Sequence, residues 1–468
     1  MAYVAYVTTL KNLRKHPNAD RLQLAECFGN TVCVSMEYVA DQVGVYFPTD
    51  GQLSMEFCEQ NGLLAVYVDG VNVSGGYMDA EKRNVKTIKL RGEKSDGLFL
   101  PLTCLAYTGV DIDTIKVGDT ISVVNGHEIC TKYIPKRNHK SHSNTSEGNR
   151  TRKKKVPVAP LFAEHADTEQ LAYNLSAFKP GDLVEITLKM HGTSQRTANL
   201  PRFDGYKRTL MDRILRREGV AQYNWGSVSG TRRVVLADFD GGYYGSNEFR
   251  EQHSKFFDGK LHKGETVYYE VVGFTTNGTP IMGDADNKKL NDKEFVKQYG
   301  KTTTFSYGCS PDGKKTLYGR DDQGNFEITK DAPQSDIYVY RMTMTNEDGD
   351  VVEYTPDFMR YRCEQMGVKT VPVLWYGLIP ENPGASYDDT ITAGEWIKNV
   401  AERFYDGPDP IGKTHVREGV VVRIINRPKF AAYKHKNFSF KVLEGIIKEV
   451  ADAPDMEEAQ DVADNGEE

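Results

Sequence analysis

The sequence has few cysteines, no long apolar run and no recognisable export segment, and each absence excludes a class of protein. Its 468 residues include seven cysteines, an odd number without a CxxC pair, which fits neither a disulfide framework nor a zinc site. No run approaches the roughly 18 consecutive apolar residues of a membrane span. The first residues, MAYVAYVTTLKN, lack the basic, apolar and small-residue regions of a signal peptide. We therefore expect a cytoplasmic protein with reduced thiols and no membrane contact.

The sequence also lacks a strong overall charge, but its charges are distributed unevenly. The net charge is −7. Residues 449–468 contain nine acidic residues and no lysine or arginine, so the other 448 residues together carry +2. Between Lys132 and Lys155 nine basic residues accompany one acid, Glu147. The acidic balance of the whole chain therefore does not exclude a polyanionic partner.

Composition divides the chain into four regions. The length alone predicts two to four domains, at roughly 100–200 residues each. Residues 1–125 contain short β-rich runs broken by Gly, Asn and Asp, which indicates a small barrel. Residues 126–156 are polar and basic, which is typical of a flexible linker. Residues 157–448 mix strand and helix patterns. The acidic tail, residues 449–468, is expected to be disordered.

Periodicity predicts the main elements of the third region. Two segments, DFMRYRCEQMG and AGEWIKNVAERFYDG, have apolar residues at helical spacing, and the second has Gly407 near its end. Alternation and β-branched residues predict strands in six further segments, namely LVEITLKM, ETVYYEVVGF, DIYVYRMTM, TVPVLWYG, EGVVVRII and FAAYKHK.

One motif match is a false lead. Residues 407–414, GPDPIGKT, satisfy the expression GxxxxGK[ST] of a phosphate-binding loop. Such a loop works when it follows a buried strand and opens a helix, so that backbone N–H groups face the phosphates. Here a helix pattern precedes the match, a strand pattern follows it, and two prolines remove N–H donors. The segment is therefore not expected to bind nucleotide.

A second motif follows the strand pattern LVEIT, namely Lys189-Met-His191-Gly192-Thr193-Ser194-Gln-Arg196. Alone it is a weak signal, but five more motifs follow it in order. They are Ser229-Gly-Thr-Arg232-Arg233, Tyr269-Glu270-Val-Val-Gly273, Tyr338-Val-Tyr340, Arg417-Glu418-Gly419-Val-Val-Val and Tyr433-Lys434-His-Lys436-Asn437. The ordered set resembles the covalent nucleotidyltransferase superfamily of ligases and capping enzymes. Histidine at 191 followed by Gly-Thr resembles its RNA ligase branch.

The resemblance implies that Lys189 attacks the α-phosphate of ATP and forms a lysine–AMP intermediate. AMP then passes to an RNA 5′-phosphate, and a 3′-hydroxyl displaces it. Only a neutral amine attacks, so the pKa of the lysine has to fall from about 10.4. Lys434, Lys436 and a bound metal would lower it. Glu418, together with Glu270, would hold Mg²⁺ or Mn²⁺, because hard cations prefer carboxylate oxygens.

The same resemblance implies a set of nucleotide-binding residues. The set comprises His191, Gly192, Thr193, Arg196, Arg232, Glu270, Tyr340 and Lys441. Arg196 and Arg232 suit phosphates because the guanidinium fork matches phosphate oxygens, and Arg233 is the alternative to Arg232. Glu270 would accept a hydrogen bond from the ribose, and Tyr340 would stack on adenine.

The first region carries a resemblance of its own. It contains HPNADRL at 16–22, GVYFPTD at 44–50 and VKTIKLRGEKSDGL at 85–98. These segments resemble the OB domain of RNA ligases that carry it before the catalytic domain, and HPNADRL also resembles tRNA-binding OB modules of synthetases. OB folds bind single strands in a basic groove, and Lys86, Lys89 and Arg91 on a predicted strand would contact backbone phosphates. The alternative is a solubilising strand face.

The two resemblances together imply an α+β protein, with an N-terminal OB-type β-barrel followed by a nucleotidyltransferase domain of antiparallel sheets and flanking helices. Several features depart from the pattern, among them Ser194 and Leu188, where RNA ligases often have asparagine and some have glutamate, and the basic linker and acidic tail. An insertion, residues 274–335, separates the motifs of Glu270 and Tyr340, and Lys441 competes with Lys434 as the final motif lysine.

The leading hypothesis is therefore an ATP-dependent RNA ligase that seals 3′-OH and 5′-phosphate ends. Its substrate would be RNA, at nicks in RNA/DNA or RNA/RNA duplexes with RNA on the 3′-OH side, and its use RNA repair. No protein partner is implied. The alternatives are a capping guanylyltransferase or DNA ligase of the same superfamily, and a non-catalytic RNA-binding protein with a decayed transferase domain.

Overall fold

The chain forms two compact units, seen in a computed structural model. The first comprises Met1–Lys136 and Glu444–Ala453, and the second Arg137–Leu443 and Pro454–Glu468. The structure describes residues 3–68, 71–133, 158–166, 168–215, 217, 219–232, 234–236, 239, 247–313, 316–320, 323, 326–329, 332–386 and 391–450. Three predictions therefore fall wholly or largely outside the described residues, namely those on Arg233, the linker and the acidic tail.

The first unit is built mainly of short strands. They are β1 (Ala5–Thr9), β2 (Lys11–Lys15), β3 (Leu22–Cys27), β4 (Asn30–Ser35), β5 (Val43–Phe47), β6 (Gly51–Leu53), β7 (Tyr67–Val68), β8 (Val71–Asn72), β9 (Thr87–Leu90), β10 (Glu93–Asp96), β11 (Leu98–Pro101), β12 (Thr120–Ile121), β13 (Val123–Val124), β14 (His127–Glu128) and β15 (Cys130–Lys132). Helix α1 (Met55–Gln60) and two 3-10 helices (Leu102–Thr108 and Ile112–Thr114) accompany them.

These strands pair into small antiparallel sheets around one apolar core. A four-stranded sheet has the order β11-β5-β1-β12, β2-β3-β4 form a second sheet, and the others pair as two-stranded ladders. Val7, Val45, Phe47 and Phe57 lie in the core. Within the described residues the ladders do not join into one closed barrel, so the OB-type barrel stays a prediction.

The predicted linker begins with ordered strands. Leu53 of β6 pairs with Cys130 of β15, and Ile129 and Cys130 are fully buried in the core. Residues 127–132 therefore belong to the first unit, because two apolar side chains in an otherwise polar segment are enough to fix it there.

The second unit contains longer strands. They are β16 (Glu169–Gln170), β17 (Leu183–Lys189), β18 (Thr193–Lys207), β19 (Val220–Gly230), β20 (Val235–Leu236), β21 (Glu265–Gly273), β22 (Ala285–Asp286), β23 (Thr302–Thr303), β24 (Thr316–Arg320), β25 (Phe326–Thr329), β26 (Ser335–Thr345), β27 (Val351–Glu353), β28 (Lys369–Thr370), β29 (Val373–Leu378), β30 (Gly419–Ile424) and β31 (Ala431–Lys436). All six strands predicted for this region are present.

Helices flank these strands. The α-helices are α2 (Leu210–Ile214), α3 (Glu248–Phe256), α4 (Lys293–Tyr299), α5 (Pro356–Met366), α6 (Ala393–Glu402) and α7 (Phe438–Val450), and the 3-10 helices are Leu171–Tyr173, Leu175–Ala177, Asn287–Leu290 and Pro383–Ser386. Helix α7 begins in the second unit, and its residues from Glu444 onward belong to the first. Both predicted helices are present. Thr392 and Glu395 form a capping box that starts α6, and Gly367 in the left-handed conformation ends α5. None of the described helices has the length and apolar character needed to cross a bilayer.

Two sheets of the second unit meet at the lysine motif. One has the order β16-β31-β30-β17-β29, and the other β20-β19-β18-β21-β26-β27 with β28 parallel to β26. The turn at 190–192 joins β17 of the first sheet to β18 of the second. The chain is therefore a mixed helix–strand fold on largely antiparallel sheets, as predicted, and the motif lies where its two larger sheets are connected.

The five-stranded sheet has one apolar and one polar face. Val184 and Ile186 of β17 and Val420 and Val422 of β30 pack against Ile397 of α6. Because side chains alternate along a strand, the opposite face carries the lysines of β17 and β31. The apolar packing thus fixes the strands whose other face presents the candidate site.

Candidate active site

Lys189, Glu418 and Lys436 form the centre of the candidate site. Lys189 Nζ lies 2.7 Å from Glu418 Oε1, and Lys436 Nζ lies 3.5 Å from the same oxygen. The Glu418 side chain is 2% exposed, against 17% for Lys189 and 12% for Lys436. The sequence resemblance implies four catalytic residues, namely these three and Lys434. The structure thus brings three of them together, with one buried carboxylate between two ammonium groups.

Strand register places these three side chains together. Gly419 pairs with Lys189 on one side and with Lys436 on the other, and neighbouring strands lie about 4.8 Å apart. Gly419 has φ +149°, and a Cβ there would collide with the carbonyl oxygen of His435. The Glu-Gly sequence is therefore required because only glycine allows β30 and β31 to approach closely beside Glu418.

The lysine motif turns tightly from β17 into β18. Gly192 lies against β21, where a Cβ would collide with the carbonyl oxygen of Val271. His191 is 8% exposed, and its Nδ1 lies 3.9 Å from Glu418 Oε2. Its ring meets the rings of Phe305 and Phe440 edge-on, at centroid distances of 4.6 and 4.7 Å. The histidine is thus held by aromatic rings beside the central carboxylate.

Glu270 and Tyr340 lie on the adjoining sheet. Ser194 of β18 pairs with Glu270 of β21, which pairs with Tyr338 of β26. The Tyr340 hydroxyl and the Ser194 hydroxyl are hydrogen-bonded at 2.8 Å. The Tyr340 ring also contacts the ring of His165, with centroids 5.4 Å apart. Glu270, Ser194 and Tyr340 therefore form one neighbourhood beside the lysine motif.

Arginines surround His165 in the same neighbourhood. Arg196 is 1% exposed, donates to the carbonyl oxygen of Ala163 and lies over the Phe162 ring. The carbonyl oxygen of Arg232 accepts the N–H of His165 at 3.1 Å. Burial and the charges of Arg341, Arg232 and Arg196 lower the pKa of His165 to about 3. Burial is the main cause of this lowered pKa, and the arginine charges that add to it create the positive potential that phosphate groups prefer.

Arg250 is a residue that the sequence analysis missed. It is 1% exposed, and from α3 its Nη2 donates to Thr193 Oγ1 at 2.6 Å and its Nη1 to the Ser194 carbonyl oxygen at 3.1 Å. Thr193 and Ser194 are thus fixed by a buried guanidinium. The only sequence signal was a lone arginine beside Phe249 in a helix, which does not distinguish this role from a surface charge.

Lys434 and Lys441, the two candidates for the final motif lysine, lie on different elements. Lys434 is on β31, two residues before Lys436 and so on the same face. Lys441 is on α7, where its N–H donates to the Asn437 carbonyl oxygen. Of the two lysines, only Lys434 therefore lies on a strand, as the sequence resemblance predicts for the final motif lysine.

Two buried carboxylates are the candidate ligands of a divalent cation. Among the described residues, no group of three or more His, Cys, Asp or Glu side chains is placed to hold a metal ion. Glu418 and Glu270 are buried carboxylates, 2% and 7% exposed. Mg²⁺ is commonly held by one or two carboxylates, with phosphates and water completing its shell. The donor set fits that kind of site.

The false phosphate-loop match lies in the connection between α6 and β30. Asp409 Oδ1 accepts the N–H groups of Ile411 at 2.8 Å and Gly412 at 3.0 Å. The N–H groups that a phosphate would need therefore face a buried carboxylate of the chain itself. The residues do not open a helix, in agreement with the sequence interpretation.

The three basic residues predicted on one strand of the first unit lie on different elements, which corrects the prediction. Only Lys89 is within β9, and Lys86 precedes it. Arg91 and Gly92 form the two-residue turn between β9 and β10, with φ values of +46° and +93°. Positive φ at both turn positions is the geometry that matches the twist of a hairpin. The prediction that the three residues alternate on one strand was wrong, because the sequence Arg91-Gly92 was not recognised as a turn.

The HPNADRL segment binds that hairpin. His16 Nδ1 accepts the N–H of Asn18 at 3.0 Å, so its Nε2 carries the proton and donates to the Leu90 carbonyl oxygen at 3.0 Å. Asn18 Nδ2 donates to the Arg91 carbonyl oxygen at 3.0 Å. The conspicuous motif therefore fixes the position of the turn that presents Arg91.

Comparison with known proteins gives structural matches only. No protein-family model matches this chain, and no curated protein matches it. Three of the solved structures that are similar to this chain are of Naegleria gruberi RNA ligase. A lysine-to-alanine variant with ATP and Mn has a TM-score of 0.51 at 16% identity over 94% of this chain and 97% of that chain. A lysine-to-methionine variant with AMP and Mn has 0.51 at 16% over 94% and 98%.

The third structure, the ligase with PPi, has a TM-score of 0.50 at 16% identity over 96% of this chain and 98% of that chain. The chain therefore shares the fold of Naegleria gruberi RNA ligase, in agreement with the sequence resemblance. At this identity the similarity concerns the fold.

Proposed function

We propose that this chain is an ATP-dependent RNA ligase that joins 3′-OH and 5′-phosphate ends through a lysine–AMP intermediate. Its substrates are nicks in duplexes with RNA on the 3′-OH side. The observation that carries the proposal is the buried Glu418 carboxylate between Lys189 and Lys436, in the fold of an RNA ligase whose structures contain ATP or AMP with Mn.

Lys189 is the nucleophile of the first step. Its neutral amine attacks the α-phosphorus of ATP, a P–N bond forms, and pyrophosphate leaves with the electron pair of the broken P–O bond, while the amine releases a proton to solvent. Glu418 orients the amine through the 2.7 Å contact. Lys436, with Lys434 beside it on β31, adds positive charge where the phosphates bind.

The remaining residues hold the nucleotide and the RNA end. Arg196 and Arg232 bind phosphates, with Lys441 as an outer positive charge. Glu270 accepts a hydrogen bond from the ribose, and Tyr340 stacks on adenine. His191, Gly192 and Thr193 form the turn that keeps the lysine against the α-phosphate.

Glu418 and Glu270 would hold Mg²⁺ or Mn²⁺ together with the phosphates. When bound, the cation supplies neutralisation of phosphate charge and lowers the pKa of a nearby ammonium group. In the later steps AMP passes from lysine to the RNA 5′-phosphate, and the 3′-hydroxyl oxygen attacks that phosphorus as AMP leaves.

The first unit contributes RNA binding in this proposal. Residues 1–125 act as the OB-type domain, and Lys86, Lys89 and Arg91 contact backbone phosphates. The protein works in the cytoplasm on broken RNA, where its seven free cysteines, six of which are at least nine-tenths buried, remain reduced.

Labelled nucleotide tests the proposal directly. The chain is incubated with Mn²⁺ and α-labelled ATP or GTP, and covalent label is measured after denaturation. We expect an acid-labile AMP adduct. A GMP adduct would identify a capping enzyme, and no adduct would identify a binding protein. Sealing of matched nicks with RNA or DNA on each side of the break then tests the substrate.

A further inference from the structure

A turn at residues 304–308 contacts the nucleophile motif, although it lies in the insertion 274–335, to which the resemblance assigns no role. We call residues 304–308 the insertion turn. Tyr307 Oη accepts the backbone N–H of His191 at 2.7 Å. The Phe305 ring meets the His191 ring edge-on, with centroids 4.6 Å apart. The middle residue of the motif turn is thus held through both its backbone and its side chain.

The insertion turn is strained at the residue that makes this hydrogen bond. Tyr307 has φ +46°, followed by φ +78° at Gly308. The left-handed region is unfavourable for a bulky side chain and persists only where the surrounding structure imposes it. Such strain concentrates at functional sites. In this turn it directs the hydroxyl to His191.

A buried pair packs against Tyr307. The Tyr307 ring meets the His415 ring edge-on, with centroids 4.5 Å apart. His415 Nε2 lies 3.6 Å from Asp409 Oδ2, and both side chains are fully buried. The tyrosine ring is therefore fixed by a second, solvent-free layer in the connection before β30.

The hydroxyl is a neutral acceptor. Burial raises the pKa of Tyr307 well above its usual range, so it adds no negative charge near Glu418 and Glu270. Without it, the N–H of His191 would lose its partner inside the protein, and the motif turn would have to shift to recover one.

We propose that Tyr307 is a positioning residue for Lys189, a role that rests on the proposed ligase function. Its hydrogen bond to His191 fixes the turn that starts directly after Lys189, and so fixes the distance between the lysine amine and the α-phosphorus. The insertion 274–335 is then part of the adenylylation machinery. The role is specific to the first step, because Lys189 is not the nucleophile when a 3′-hydroxyl attacks an RNA end that already carries AMP.

Tyr307→Phe removes the hydroxyl and keeps the ring against His415. We expect single-turnover enzyme–AMP formation at saturating ATP and Mn²⁺ to fall roughly 10- to 100-fold, since a displacement of about 1 Å costs a reaction about that much. Sealing of a pre-adenylylated RNA nick should stay within about twofold of wild type, because that step needs no lysine attack.

Tyr354→Phe is the matched control. Tyr354 is also buried, and its hydroxyl donates to Glu265 Oε1 at 3.1 Å in the same unit. This control should lower neither rate. Phe305→Leu provides a second variant, with a smaller loss expected in the first step alone.

Unchanged enzyme–AMP formation in Tyr307→Phe would overturn the positioning role. An equal loss in both steps would overturn it too, because that result describes a residue needed only for folding. Absence of any AMP adduct in the wild-type chain would instead refute the proposed function, and this role with it.

Discussion

At the scale of single residues, the candidate site depends on the charge of Glu418. Its carboxylate is buried, and it lies between Lys189 and Lys436. Two ammonium groups this close repel each other unless an anion separates them. Besides its proposed part in metal binding, we therefore expect Glu418 to have two functions, which are to orient the proposed nucleophile and to stabilise the strands that carry the two lysines.

Glu418→Gln should impair both functions. We expect the rate of enzyme–AMP formation to fall about 10²- to 10³-fold, as for loss of one well-placed charged contact. Unfolding in urea should show a loss of about 3 kcal/mol, because the substitution leaves buried positive charge uncompensated. Glu185→Gln is the matched control, since Glu185 is also buried and pairs with Arg360 at 2.5 Å. Glu185→Gln should lower the free energy of unfolding and leave the rate of enzyme–AMP formation unchanged. If Glu418→Gln forms the AMP adduct at the wild-type rate, Glu418 does not belong to the site.

Lys189→Ala should abolish the AMP adduct, because no other amine contacts Glu418 from β17. The variant should still seal a pre-adenylylated nick. Its stability should fall by only about 1–2 kcal/mol, since Lys436 still accompanies the buried carboxylate. Mass spectrometry of the labelled chain measures the adduct and its position. A normal adduct in the variant would show that the nucleophile is another residue.

Sequence motifs predicted some residues of the site and could not predict others. Lys189, Glu418 and Lys436 were predictable because each stands in a short motif beside a strand. Tyr307 and Arg250 were not, because they reach the motif turn from segments without a pattern, through contacts that exist only in the folded chain. Tyr307 carries one signal in the structure, its positive φ, that no sequence pattern shows.

At the scale of elements, sequence patterns predicted both strands with one buried face, such as β17, and strand β21, which is buried along its whole length and rich in β-branched and aromatic residues. Strand β17 alternates because Val184 and Ile186 face an apolar core. The β9–β10 hairpin was not predicted, because its turn uses Arg91-Gly92 instead of the Asn-Gly that signals such turns. Helix α7 was not predicted either, since only the folded chain shows Phe440 packed against His191.

Helix α6 meets β31 at a contact that should respond to pH, since Glu402 Oε1 lies 3.4 Å from Nε2 of His435, an imidazole whose own pKa is lowered by burial. Burial alone would raise the pKa of Glu402, but hydrogen bonds from His435 and Lys398 hold it at about 2. The ordinary value is 4.5, so the folded state binds this proton less readily than the unfolded state does. The stabilisation is therefore present above pH 4.5 and is lost as the pH falls towards 2.

Glu402→Gln should accordingly destabilise the chain at pH 7 by at most about 1 kcal/mol, because a third of the side chain is exposed and solvent screens the charges. The difference from wild type should shrink as the pH falls below 4.5. Urea unfolding at pH 7, 5 and 3 measures it. Glu251→Gln removes the exposed pair with Lys255 and should change little at any pH. If Glu402→Gln lowers the free energy of unfolding by the same amount at pH 3 and pH 7, the stability does not depend on the ionisation of Glu402.

At the scale of the whole molecule, the chain combines two units with different proposed tasks. The proposed catalytic residues lie between Lys189 and Lys436, within the second unit, and the three predicted RNA contacts lie in the first. Composition located the change of region but not its boundary, because residues 127–132 look like linker and fold with the first unit. The insertion 274–335 was visible only as spacing, since nothing in its composition indicates contact with the motif turn.

The division of tasks predicts that RNA binding and adenylylation can be separated in the full-length chain. Lys86→Ala, Lys89→Ala and Arg91→Ala combined should leave enzyme–AMP formation unchanged, because that step uses no RNA. Nick sealing should weaken at physiological salt. Each lost phosphate contact reduces the slope of log affinity against log salt by about 0.9 for a duplex, so the triple variant should lose between two and three units of slope. Lys11→Ala, Arg14→Ala and Lys15→Ala on β2 remove the same charge from the same unit and serve as the control. An equal loss of slope in both triple variants would show a general charge effect and exclude a specific RNA contact at the hairpin.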